Sequence, residues 1–139
     1  MIDNDLTMKD AGLVASSAAA TVGGEAQVVD VGTGLVKGEL VVDVTAIEIA
    51  DDDELFKISL QGSSKATFAD TFEDLAILEL GAAEVLGGDQ DSTTGRYVVP
   101  FRTERNQTVY DQLRVYVDVS GTVGTGINFT AHLRPQTKQ

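Results

Sequence analysis

A chain of 139 residues with 22 acidic and 10 basic side chains, a formal net charge of -12 and no cysteine leaves several kinds of protein behind at once. Disulfide frameworks and thiolate metal sites need cysteine, and binding to nucleic acid or to an anionic membrane surface needs clustered lysine and arginine, which are scattered here. The length suits one domain over residues 1–139 with a core of its own.

In chain order, Met1-Ile2-Asp3-Asn4-Asp5 is acidic and lacks the basic start of a secretion signal. No apolar run approaches the roughly 18–20 residues that span a bilayer, so the expectation is a soluble protein made in the cytosol. Residues 11–20 are rich in alanine, which favours helix, but they contain Gly12 and no sustained apolar stripe. They are read as mostly extended, with residues 1–8 as an N-terminal arm. Gly23-Gly24 marks a turn, and residues 26–31 are a short strand.

From Gly38 to Ile49, Leu40, Val42, Val44 and Ala46 share one face before Ile47 and Ile49 take the other. That switch predicts a bulge or bend. Leu55 to Gln61 alternates with Phe56, Ile58 and Leu60 inward. Residues 62–74 form a polar connection whose Phe68 and Phe72, four apart, suit one helical turn. Leu75 to Leu80 is another strand, and residues 81–94 are a long turn region.

The last third alternates most cleanly. Tyr97, Val99 and Phe101 point one way, as do Leu113, Val115, Val117 and Val119, and then Ile127, Phe129, Ala131 and Leu133. Strand side chains alternate between faces, so each of these strands buries one side and wets the other. Pro100 inside such a pattern argues for an edge or a bulge. Residues 120–126 read as a hairpin-type connection, and residues 136–139 as a flexible tail. Seven to eight short strands between glycine-rich turns predict an all-β, antiparallel jelly roll or β-sandwich.

Chemistry is scarce. The lone His132 lies on the outward parity of its strand, and nothing places a nucleophile and an acid beside it. Asp51-Asp52-Asp53-Glu54 lacks the alternate spacing, glycine and distal glutamate of an EF-hand loop, and reads as a solvated acidic turn. Gly121, Gly124 and Gly126 sit between two strands rather than before a helix, so they read as turn formers, not a phosphate loop. Tyr110 and Tyr116 are too few for a carbohydrate platform. No catalytic, cofactor-binding or metal-binding residue is assigned, and no enzyme is expected.

The stretch from Pro100 to Gly126, PFRTERNQTVYDQLRVYVDVSGTVGTG, resembles the capsid cement, or decoration, proteins of tailed bacteriophages, those of the Bordetella short-tailed phages in particular. The N-terminal Met1-Ile2-Asp3, the small-residue Ser/Ala/Thr stretch and Val28-Val29-Asp30-Val31-Gly32 follow the same pattern, so the resemblance covers most of the chain. It implies a jelly roll with no cofactor, bound to the outer surface of an icosahedral virion head and bridging capsomers of major capsid protein. It also implies a homo-oligomer, with a dimer favoured over a trimer. A head-fibre or tail module, or a carbohydrate-binding sandwich, is the alternative. Candidate capsid or subunit contacts are Met1, Ile2, Leu6, Met8, Phe68, Phe72, Tyr110 and Tyr116.

Overall fold

The computed structural model describes residues 6–50, 53–65, 67–68, 72–81, 93–105 and 107–135. Its strands are β1 (Leu6–Lys9), β2 (Leu13–Val14), β3 (Ala18–Ala19), β4 (Thr21–Val22), β5 (Glu25–Ala26), β6 (Val29–Asp30), β7 (Lys37–Ile47), β8 (Leu55–Ser63), β9 (Glu73–Gly81), β10 (Gly95–Arg102), β11 (Glu104–Arg105), β12 (Thr108–Val109), β13 (Gln112–Ser120) and β14 (Ile127–Pro135). One sheet runs β1-β14-β7-β10, with β2 also pairing with β14. The other runs β3-β13-β8-β9, with β6 also pairing with β13. Every pairing is antiparallel. The fold is a β-sandwich, as the alternation predicts.

The inward parities meet in one core. Leu40, Val42, Phe129, Ala131 and Leu133 from the first sheet join Phe56, Ile58, Leu60, Leu113, Val115 and Val117 from the second. Within β8, Gly62 is needed for close packing. An added Cβ would come within 2.8 Å of the Leu75 side chain and 3.0 Å of Tyr110 Cβ, so only glycine lets those residues settle against the strand. The parity switch in β7 is a bulge: Asn128 pairs with Ala46 but Phe129 pairs with Val44, leaving Thr45 over. Pro100 lies in β10, an edge strand, where a missing N–H costs least.

Three expectations are corrected. The connection from β13 to β14 is not a hairpin, because these strands belong to different sheets. The segment instead crosses one end of the sandwich and is tied there. Glu48 Oε1 accepts from the N–H groups of Gly124 at 3.0 Å, Thr125 at 2.6 Å and Gly126 at 2.8 Å, while Asp53 accepts from Thr122 N–H and hydroxyl. Gly126 has φ 97°, and a Cβ there would collide with the carbonyl of Val14. These backbone hydrogen bonds hold the Glu48 and Asp53 carboxyls below their ordinary range. The glycine loop is thus an anion-binding nest filled by the chain's own carboxylate.

The helical turn at Phe68 is also absent. Its φ is 54°, a left-handed conformation that ends any right-handed turn, and no helix occurs among the described residues.

Residues 6–8 of the expected arm over residues 1–8 belong to the sheet instead, because β1 spans Leu6–Lys9 and pairs with β14, while residues 1–5 lie outside the described residues. Thr7 pairs with His132 and Lys9 with Ala131, so Met8 is a bulge residue, and Met8 and Lys9 are both buried. The Lys9 ammonium donates to the carbonyls of Asp10 at 3.0 Å, Gly12 at 2.9 Å and Phe129 at 2.8 Å. It also lies 4.5 Å from the Phe129 ring centre. Burial lowers its pKa, opposed by the Asp10 charge.

Candidate functional site

The outward face of the β3-β13-β8-β9 sheet carries the one cluster that gathers several candidate contact residues. Alternation points Arg114 and Tyr116 outward from β13, opposite Gln61 and Ser59 of β8. Those two β8 residues in turn face Asp74 and Ile77 of β9. The segment after β8 folds back over this face and brings in Phe68 and Phe72. The guanidinium of Arg114 then lies 4.4 Å from the Phe68 ring centre, 5.5 Å from that of Phe72 and 5.2 Å from that of Tyr116. A cation within about 6 Å of a ring centre is attracted by the ring quadrupole, by roughly 0.5–2 kcal/mol depending on desolvation.

A polar ladder orients the arginine from below. Its Nε donates to Gln61 Oε1 at 2.8 Å, Gln61 Nε2 donates to Asp74 Oδ1 at 3.3 Å, and Lys57 Nζ sits 3.4 Å from Asp74 Oδ2. Ser59, also buried, donates its hydroxyl to the Tyr116 carbonyl at 3.4 Å. Desolvation pulls the Arg114 pKa down, yet a guanidinium remains charged at neutral pH.

The cluster has a buried half and an open half. Phe68 is 5% exposed, whereas Phe72 is 44% and Ile77 47% exposed. Holding a bulky residue such as Phe68 at positive φ costs on the order of 1–3 kcal/mol, so the surrounding contacts must outweigh that strain. The product is an arginine stiffened by rings, with apolar surface beside it. Arginine and aromatic side chains are the types enriched at protein–protein contacts. The Phe68 and Phe72 rings are 6.4 Å apart and tilted at 47°, and they are engaged with a cation. They do not form the flat platform on which a sugar ring stacks.

The other sequence candidates lie elsewhere. Met8 is fully buried, Tyr110 is 9% exposed in the core, and Leu6 packs against that core. Met8 and Tyr110 present almost no surface to a neighbour, and Leu6 is half-buried. Met1 and Ile2 lie outside the described residues, as do Asp51, Asp52, Asp89 and Asp91. The sequence reading missed Arg114, Gln61 and Ile77 as members of the cluster. The available signal was the pair Arg114 and Tyr116 on one outward parity, with Ile77 outward in a strand whose Ala76 and Leu78 neighbours face in.

His132 lies on the outward face of the other sheet, with Thr7 and Val41 as cross-strand neighbours. Among the described residues, no three histidine, aspartate or glutamate side chains group as metal ligands. No protein-family model matches this chain, and no curated protein matches it.

Proposed function

We propose that this protein is a structural capsid cement protein. It binds the outer surface of an icosahedral phage head as a homo-oligomer and bridges capsomers of major capsid protein. The observation that carries the reading is the outward face of β13, β8 and β9, where exposed Phe72 and Ile77 flank a ring-clasped arginine. Exposed aromatic and aliphatic side chains beside an arginine suit contact with a neighbouring protein.

The strand order supports the jelly-roll part of the proposal. Taking β1, β3, β7, β8, β9, β10, β13 and β14 as strands one to eight, the sheets read one-eight-three-six and two-seven-four-five. That interleaving is what two nested Greek keys produce. The net charge of -12 suits a position outside a DNA-filled shell, away from phosphate. Many symmetric copies, each with a modest contact, add up to substantial reinforcement.

The test is binding to purified heads of the source phage, quantified by mass spectrometry. Occupancy at a copy number commensurate with the capsid lattice is expected. The double variant Phe72→Ser, Ile77→Ser should keep its fold and lose most of its occupancy. Absence of the chain from purified virions, or its presence in only a few copies per particle, overturns the proposal.

A further inference from the structure

The basic side chains are few, yet three of them meet at one place away from the Arg114 cluster. Arg102 pairs with Lys37 at the last rung between β10 and β7. The β11–β12 hairpin follows at once and places Arg105 beside them. These three and Glu104 line an open cleft of about 530 Å³ with Leu75 and Phe101 in its floor. In a chain whose acids outnumber its bases by 22 to 10, three cations against one carboxylate is a local inversion of charge.

Internal pairing uses only part of this charge. Arg102 Nη2 lies 3.3 Å from Glu104 Oε1 at an exposed position, and water and salt screen such a pair to about 0–1 kcal/mol. Arg105 Nη2 donates to the backbone carbonyl of Asp74 at 2.6 Å, which fixes the side chain without neutralising it. Leu75 and Phe101 are nearly fully buried and make a firm floor, and exposed Pro100 supplies the apolar wall.

We propose that this cleft docks a short carboxylate-bearing peptide segment of a partner protein. Charge complementarity selects a carboxylate ligand. The size of the ligand follows from the rest of the molecule. A nucleic acid would bring many negative charges against a body already at -12. A short segment brings few, and its interactions stay within a screening length of about 8 Å. The apolar wall suits a peptide better than a free inorganic anion. Strand addition along β10 is disfavoured by Pro100, which lacks a backbone donor, so recognition runs through side chains.

The experiment is fluorescence anisotropy of the full chain with a labelled oligoglutamate peptide, its oligoglutamine counterpart and inorganic phosphate as competitor. The acidic peptide should bind, and binding should weaken as salt rises from about 50 to about 200 mM. The oligoglutamine peptide should not bind. Lys37→Gln combined with Arg102→Gln should reduce affinity by about tenfold or more. Both residues are exposed, and far-UV circular dichroism should report an unchanged fold. Equal binding of the two peptides, or undiminished binding by the double variant, overturns the proposal. So does phosphate competing as well as the peptide, which marks a generic anion site. Self-association that disappears in the double variant would make a second copy the occupant, and overturns the proposal as stated.

Discussion

The two outward faces of the sandwich handle arginine in opposite ways. On the β1-β14-β7-β10 face, Arg96 and Arg134 each meet a carboxylate directly across a strand pair. Arg96 Nε lies 2.7 Å from Asp43 Oδ1, and Arg134 Nε lies 2.8 Å from Glu39 Oε1. Between these rungs Val41 is fully buried despite its outward parity, with His132 and Val98 as cross-strand neighbours. Those two arginines are settled within the monomer. On the other face Arg114 meets three rings and an amide instead, and Phe72 and Ile77 are left in solvent. An ion pair satisfies an arginine and ends the matter. A ring clasp holds the arginine rigid while leaving its charge available, and that difference is what makes the second face the candidate for contact.

Several experiments sharpen or break this contrast. The largest effect concerns the core beneath both faces. Val117 is fully buried, and Val117→Asp should cost about 3–5 kcal/mol through an uncompensated buried charge, erasing both faces together in a thermal melt. Next come Phe68 and Gln107, non-glycine residues with positive φ, at 54° and 69°. Gln107 is exposed, so Gln107→Gly should relieve strain and raise stability by about 0.5–1 kcal/mol. Phe68→Gly relieves the same strain but removes a buried ring, for a net loss of about 2 kcal/mol. Loss of stability in Gln107→Gly would contradict strain at that turn, and a gain in Phe68→Gly would show that the ring clasp does not hold its loop.

A smaller step separates the arginines themselves. Arg114→Ala should cost about 1–2 kcal/mol, from the ring contacts and the Gln61 hydrogen bond. Arg96→Ala, an exposed pair, should cost no more than about 0.5 kcal/mol. Equal losses in denaturant titrations would remove the distinction.

The finest test is acid. The hydrogen bond from Arg96, reinforced by its charge, lowers the Asp43 pKa. A carboxyl lowered in the folded state stabilises above its unfolded value, near pH 3.9 for aspartate, and that contribution disappears as pH falls through the folded value. The Glu48 clasp follows the same sign. As pH falls from about 4 through the lower folded values, the protection of the Arg96 Nε and of the Gly124–Gly126 N–H groups against proton exchange should fall toward the intrinsic rate. The Nε of Arg114, bonded to an amide, should keep its protection. Uniform acceleration at Arg96 and Arg114 would contradict the contrast.

Much of the architecture was readable before any coordinates. Leu113, Val115 and Val117 alternate because one face of β13 is dry, and the same holds for Ile127 to Leu133. The switch expected after Ala46 marked a bulge, which the structure places one residue earlier, at Thr45, leaving Ala46 exposed. Strand partners were not readable, because parity says which face is buried and nothing about which strand lies alongside. Hence β13 and β14 looked like a hairpin until Glu48, 78 residues from Gly126, tied the connecting loop across the end. The functional face was half readable. Phe68 and Phe72 were paired by helical spacing, and their rings do meet, but through a left-handed residue rather than a helix. Arg114 gave only its shared outward parity with Tyr116, since an outward arginine looks solvated until the rings around it are placed.

Lys9 carries one more consequence, for covalent labelling. The chain has five lysines, and an acylating reagent needs a free, deprotonated amine. Lys9 is 4% exposed with all three of its protons donated to carbonyls. It should escape modification while β1 remains docked, and acylation of Lys9 detected by peptide mapping would then time the detachment of that strand.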